Sequence, residues 1–210
     1  LLLLLRDYLN CSLPKAKEPL QSPEYGIFHP KHGYFQEIES FCRASGFDNS
    51  LTTVGVLFYG NMHFDQCQSV LKGLLENLFD CNTVPVFSDG IHNLQAMNKF
   101  FFRNDRPIID ALVNLTWFRL NGGPLGGNPE KTRELLSELN VPVFAPACMY
   151  SRKIEEWKAS ETGLSPMESI MAVIWPELDG CIEPIPCCGV QDISVGELQA
   201  SEVQALPDRV

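Results

Sequence analysis

Apolar runs and apolar stripes alternate along the middle of the chain. Thr53 to Tyr59 (Thr-Val-Gly-Val-Leu-Phe-Tyr) is a short, partly β-branched run ending at Gly60, the pattern of a central parallel strand buried on both faces. From Asp65 the period changes: Val70, Leu71, Leu74, Leu75, Leu78 and Phe79 form one stripe behind an Asp cap, as in a crossover helix. Val84-Pro85-Val86-Phe87 is the next extended run, Leu94 to Phe102 the next helix, and Ala111 to Thr116 the next strand. Asn128-Pro129-Glu130 supplies a cap and a first-turn proline for a helix through Leu139, and Val141 to Ala145 reads as the strand after it. Ser165-Pro166-Met167-Glu168 is a capping box that opens a helix through Ile174, which Pro176 is expected to halt.

Alternation at these loop lengths predicts an α/β fold: a doubly wound open parallel sheet, flavodoxin-like or periplasmic-binding-protein-like, with helices on both faces. Ligands of such sheets sit beyond the carboxyl ends of the strands. Those ends are Tyr59-Gly60-Asn61-Met62-His63, Ser88-Asp89-Gly90, Thr116-Trp117-Phe118-Arg119 with Gly122-Gly123-Pro124, and Pro146 to Ser151. The α/β domain is expected to occupy residues 26–190. Residues 12–25 carry three prolines among polar residues and read as a linker. Residues 1–11 open on five leucines without a methionine and read as the end of a preceding helix; residues 191–210 read as the truncated start of a following segment. The whole reads as an internal piece of a longer protein.

Composition narrows the function classes. The formal charge of -10 leaves no basic stripe to displace phosphate counterions, which argues against nucleic acid and against an anionic membrane surface. No apolar run approaches the roughly 20 residues that span a bilayer, and Leu1 to Leu5 stop at Arg6 and Asp7 without the basic leader or cleavage region of a signal peptide. Eight cysteines without a CxxC pair give neither a disulfide framework nor a zinc ribbon, and they point to the reducing cytosol.

Among candidate chemistry, Glu177, Asp179 and Glu183 cluster around Gly180, either as a solvated turn or as a site for a cation or a donor ligand. Cys181, Cys187 and Cys188 nearby read as buried small hydrophobes rather than soft ligands. His63 is the histidine expected at the ligand edge, where a neutral imidazole would meet a metal or a carboxylate. His29 and His32 flank Pro30-Lys31, and His92 falls in a polar turn. Gly122 to Gly127 lacks the lysine and hydroxyl of a phosphate loop, so it reads as a wide turn that also admits a flat ligand close to the backbone. No GxSxG elbow supports hydrolase chemistry. Trp117, Phe118 and Trp175 are core aromatics by default; with Tyr59, Gly122 and Gly123, and a cation such as Arg119, they are also the kinds of group that would receive a broad conjugated plate bearing anionic side chains.

An ordered series of segments resembles the CobN/magnesium-chelatase family, the large subunit of ATP-dependent cobaltochelatase and its porphyrin-binding relative in magnesium chelatase. The series is Gly26-Ile-Phe-His-Pro, Val54-Gly-Val-Leu-Phe-Tyr, Val113-Asn-Leu-Thr-Trp-Phe, Leu139-Asn-Val-Pro-Val, Glu155-Glu-Trp, Gly163-Leu-Ser-Pro-Met and Pro176-Glu-Leu-Asp-Gly. The resemblance implies insertion of a divalent metal, cobalt or magnesium, into a tetrapyrrole held by the large subunit. ATP and its magnesium are handled by partner subunits, an AAA+ motor and its companion, and are not bound here. The Phe-Tyr strand end and Gly26-Ile-Phe-His-Pro look more like the cobalt branch, whereas Gly122-Gly-Pro and Glu183-Pro also resemble the magnesium branch. Many members carry Arg-Ser-His after the first strand; here it is Gly60-Asn-Met-His, with His63 displaced by one position. Insertion strips water from a cation and removes two pyrrole protons, which suits Glu177, Asp179 and Glu183 as bases and His63 with Glu177 as metal ligands. A reading from another class is a scaffold whose acidic face docks the motor subunits and performs no chemistry.

Overall fold

The computed structural model describes Leu9 and residues 23–60, 64–78, 80–121, 127–195 and 198–206. His63, Gly122, Gly123, most of the expected linker and most of the opening segment lie outside the described residues.

The alternation of apolar runs and stripes becomes a largely parallel sheet with helices on both faces. Its strands are β1 (Tyr25–His29), β2 (Gly33–Phe35), β3 (Thr53–Tyr59), β4 (Asn82–Ser88), β7 (Ala111–Asn114) and β8 (Val143–Phe144), in the order β2-β1-β4-β3-β7-β8. Between β4 and β7 a two-stranded ribbon, β5 (Phe102–Arg103) and β6 (Arg106–Pro107), stands apart. β4, β3, β7 and β8 are parallel and follow the flavodoxin-like order. Ile182 adds a parallel bridge to Phe144 on the far side of β8, in the place of a fifth strand. β1 and β2 form an antiparallel hairpin on the β4 edge, an addition that the apolar-run pattern does not signal.

The helices of this layer are α1 (Ile38–Ser45), α2 (Phe64–Asn77), α3 (Asn93–Phe101) and α4 (Pro129–Leu139). Side chains leave a strand on alternate faces, and β3 sorts them accordingly. Val54, Val56 and Phe58 pack with Val70 and Leu71 of α2, while Leu57 joins Phe41 of α1, Met97 and Phe100 of α3 and Leu135 and Leu139 of α4. The two cores therefore lie on opposite sides of one sheet. α4 starts as its sequence predicts, with the Asn128 side chain accepting from the N–H groups of Glu130 and Lys131 ahead of Pro129.

A second, three-stranded sheet follows: β9 (Ala147–Lys153) parallel to β10 (Pro186–Val195), and β10 antiparallel to β11 (Leu198–Ala205). β10 runs across residue 190, where the sequence reading placed the end of the domain, and its Cys187 and Cys188 join the α2-side core with Val203 of β11. The connection from β9 to β10 contains α5 (Ile154–Lys158) and a composite helix, α6.

α6 is built of Pro166–Ser169, a π-helical stretch Ile170–Ile174, and Trp175–Leu178. Its capping box forms as expected, but Pro176 does not halt it. The wide turn restarts the hydrogen-bond ladder at Trp175, so that Pro176 falls in a first turn, where its missing N–H is not needed. The helix ends instead at Gly180, which has φ +83°. Cys181 N–H donates to Pro176 O and Gly180 N–H to Glu177 O, the paired bonds of a Schellman end.

Candidate functional site

The amino ends of the central strands are tied off by polar bonds. Asn82 Nδ2 donates to Asp48 O and to Thr53 Oγ1, and Thr53 N–H donates to the Asp110 carboxylate at 2.8 Å. The carboxyl ends diverge. After β3 the chain turns to α2 on one face, and after β4 and β7 it turns to α3 and α4 on the other, which opens a crevice at the switch point. The last β3–β7 pair is Leu57 with Asn114, so Tyr59 projects beyond β7 while staying paired with Ser88 of β4.

The loop after β7 is held from several sides. Asn114 is buried and its side-chain oxygen accepts from Thr116 N–H at 3.1 Å and from Thr116 Oγ1 at 2.8 Å. Trp117 has φ +53°, an uncommon left-handed conformation for a bulky residue and one that persists only where neighbours enforce it. Its ring packs in the core with Cys148, Cys187 and Cys188, and Phe118 meets Trp175 of α6 edge-on at 4.9 Å.

Arg119 then joins this loop to the end of α6. Its Nη2 lies 2.7 Å and its Nε 3.2 Å from Asp179 Oδ1, and Leu120 N–H donates to Asp179 Oδ2 at 3.1 Å. Asp179 is 3% exposed at a helix carboxyl end, where a negative charge is disfavoured by the helix dipole; the guanidinium and the Leu120 N–H offset that cost. Of the sequence-predicted residues, Trp117, Arg119 and Asp179 are thus brought together. Glu177 lies on the exposed side of the last turn, and Glu183, with φ +56°, is exposed beyond the Schellman end. Among the described residues no group of three or more His, Cys, Asp or Glu is arranged to hold a metal ion. Burial, and then the Asp179 charge, push the Cys181 thiol up to about 12, so this cysteine is a neutral packing group.

A cleft of about 140 Å³ lies beside the Arg119–Asp179 pair, between the ends of β7 and β8 and α6, lined by Asn114, Trp117, Phe118, Met149, Met171 and Pro176 among others. That volume falls below the roughly 300–1,000 Å³ of a site that encloses a whole organic ligand, so the cleft suits one edge or substituent of a larger molecule. α6 is latched over it by Arg152, whose Nη2 donates to Glu168 Oε2 and to Gly163 O, both at 2.6 Å. Burial works against ionisation of Glu168, but hydrogen bonds from Arg152, Ser151 and Ser165 hold its carboxyl at about 2. A wider groove of about 610 Å³, lined by His29, Lys31, His32, Lys72 and Glu76, lies toward the tied-off amino end of β4 and away from the switch point. Burial, then the nearby His32 and Lys31 charges, hold His29 down at about 4.

One arrangement on the ligand edge escaped the sequence reading. The turn after β4 places Asp89 Oδ2 2.8 Å from His92 Nδ1, and Asp89 Oδ1 accepts from the N–H groups of Ile91 and His92. The Asp89 bond raises the imidazole above its ordinary value, against the effect of burial. Tyr59 lies against this turn: a Cβ at Gly90, where φ is +91°, would stand 2.7 Å from its ring, so only glycine fits. The signal available was Asp89-Gly90 at a strand end with a histidine three residues after the acid.

Comparison with known proteins identifies relatives. The CobN/Magnesium Chelatase family model matches residues 1–210. An uncharacterized protein of Methanocaldococcus jannaschii is 35% identical over 187 residues, which cover 81% of this chain and 15% of that protein. The magnesium-chelatase H protein of Cereibacter sphaeroides is 29% identical over 190 residues, 85% of this chain and 15% of the relative. Its counterpart in Chlorobaculum parvum is 28% identical over 210 residues, 94% of this chain and 16% of the relative. This chain therefore spans about 15% of the length of the first of these relatives. No helix among the described residues is long and apolar enough to cross a membrane.

Proposed function

The chain belongs to the CobN/magnesium chelatase family, and we propose that it is part of the large subunit of an ATP-dependent chelatase inserting cobalt into a corrin precursor, hydrogenobyrinic acid a,c-diamide, in cobalamin biosynthesis. The observation that carries this reading is the Arg119–Asp179 pair. It ties the end of the family-like segment Val113 to Phe118 to the segment Pro176 to Gly180, forming one edge beside an apolar cleft between the carboxyl ends of β7 and β8 and α6. In this reading Trp117 and Tyr59 flank the edge of the macrocycle, and Gly122 and Gly123, having no side chains, let it approach the backbone. Asp179 fixes the turn that carries the other two acids, and Arg119 is the positioning group for Asp179 as well as the cation nearest the propionate or amide rim. Glu177 and Glu183, both exposed, accept the ring N–H proton that the metal displaces or pass the metal, together with His63. The metal is a substrate. ATP is hydrolysed by an AAA+ motor subunit and its companion, and the work takes place in the cytoplasm.

Several relatives, the Cereibacter sphaeroides and Chlorobaculum parvum proteins among them, bear the name of magnesium chelatase, which favours a second reading, insertion of magnesium into protoporphyrin IX. A Soret-band titration of the full-length subunit with hydrogenobyrinic acid a,c-diamide and with protoporphyrin separates the two. It is repeated with Glu177→Gln and His63→Ala. Binding of the corrinoid alone, weakened by either substitution, supports cobalt insertion with this edge in the site, and binding of the porphyrin alone supports magnesium. Binding indifferent to both substitutions leaves this domain as a scaffold that docks the motor subunits.

A further inference from the structure

We propose that Glu24 and His92, with Asp89 behind the imidazole, form a binding site for a borderline divalent cation on the carboxyl edge of the sheet. Both oxygens of Asp89 are engaged from one turn: Oδ1 by two backbone N–H groups at 2.9 Å and Oδ2 by His92 Nδ1 at 2.8 Å. That partner assigns the ring proton of neutral His92 to Nδ1 and leaves the lone pair on Nε2. A carboxylate behind a histidine in this way is the usual outer-shell support of a metal ligand.

Nε2 faces the Glu24 carboxylate, with Oε2 at 3.6 Å. This separation is too long for a good hydrogen bond. Two donors on one tetrahedral centre with bonds of about 2.1 Å stand about 3.4 Å apart, so a cation fits between them with a shift of a few tenths of an ångström. The frame is rigid. Tyr25 pairs with Ser88 across β1 and β4, and Asp89 N–H donates to Glu24 O at 2.8 Å, so Glu24 just before β1 and the turn after β4 that carries His92 are held side by side. The two side chains are 28% and 60% exposed for His92 and Glu24, which leaves the remaining coordination positions to water.

The donor set decides which cation. One imidazole nitrogen and one carboxylate suit cobalt, nickel or zinc, whereas magnesium prefers an all-oxygen shell and gives up its water reluctantly. Two protein donors hold an ion that has to be handed on. The same turn carries Gly90 under the Tyr59 ring, which places the ion one strand away from the crevice. Its use as a loading site for the metal substrate rests on the chelatase reading; its existence does not.

The test is calorimetric titration of the metal-free full-length subunit at neutral pH with Co²⁺ alone and with Mg²⁺ alone, for wild type, Glu24→Gln, His92→Asn and Asp89→Asn. Wild type is expected to bind Co²⁺ more tightly than Mg²⁺. Each ligand substitution should remove one Co²⁺ equivalent or weaken it at least tenfold, and Asp89→Asn should weaken it about tenfold or more. Glu24 is largely exposed, so Glu24→Gln carries the test if His92→Asn folds poorly. Co²⁺ affinity and stoichiometry unchanged in Glu24→Gln and in folded His92→Asn, or no Co²⁺ binding by wild type, overturns the site. Macrocycle titration of the same preparations reads the other question: wild type that takes Co²⁺ but no macrocycle sinks the chelatase reading and leaves the cation site standing.

Discussion

Replacing Asp179 with alanine is expected to destabilise the fold by about 3 kcal/mol. The carboxylate accepts from Arg119 Nη2 at 2.7 Å, Arg119 Nε at 3.2 Å and Leu120 N–H at 3.1 Å. Hydrogen bonds to charged groups contribute about 1.5–3 kcal/mol each, but their sum overstates the loss, because the partners regain water unequally. The Arg119 side chain is 19% exposed and recovers part of its hydration, whereas Leu120 is 1% exposed and leaves a buried N–H unpaired. Removing one partner of a buried pair costs about 3–5 kcal/mol, and the partial exposure of the guanidinium places this pair at the low end. At about 2–4 °C per kcal/mol for a chain of this size, Tm should fall by roughly 6–12 °C. Circular dichroism melts of wild type, Asp179→Ala, Arg119→Met and the double substitution give both the loss and the coupling, expected near 2 kcal/mol. A loss below about 1 kcal/mol, or two single effects that simply add, would show that the pair does not anchor the loop after β7.

Gly180→Ala should cost about 1 kcal/mol through the backbone alone, since nothing lies within 4 Å of the added Cβ while φ is +83°; an unchanged melt would mean that the Schellman end relaxes freely. Glu168 sits at about 2 in the folded chain against 4.5 ordinarily, so its stabilisation is fully present above about pH 4.5 and is lost as pH falls toward 2; Glu168→Gln should flatten the stability profile in that window, and an unaltered slope there would contradict the latch. The Cys181 thiol, pushed up to about 12 by burial and then by Asp179, should resist a disulfide reagent at pH 8 until the chain unfolds; labelling of the native protein at the rate of a free thiol would refute its burial.

The parallel core was legible because each of its strands is an apolar run and each helix an apolar stripe between them. β3 runs from Thr53 to Tyr59 as read, and α4 begins at its capped proline. β9, β10 and β11 escaped because their residues mix polar and apolar types without a long apolar run; β11 reads Leu-Gln-Ala-Ser-Glu-Val-Gln-Ala. The passage of α6 through Pro176 was hidden because a π turn, not a residue type, makes the proline tolerable. At the site, Glu177, Asp179 and Glu183 are close in sequence, but a helix end turns one inward and leaves the other two in solvent. The Arg119–Asp179 pair spans 60 positions with no local signal. Asp89 and His92 were visible as a strand end and a polar turn, but their bond depends on how that turn closes.

Residues 182–185 have a consequence for how this domain can meet others. Ile182 donates to Val143 O and accepts from Ala145 N–H, and Ile185 accepts from Ala147 N–H, so the acidic segment is also the selvage of the main sheet. At the opposite border stands β2, only three residues long. A visiting chain finds little backbone there to pair with, so neighbours of the main sheet must recognise side chains on helices and loops. Trimming the chain before Ile182 would unravel that hem and leave a raw border prone to self-pairing.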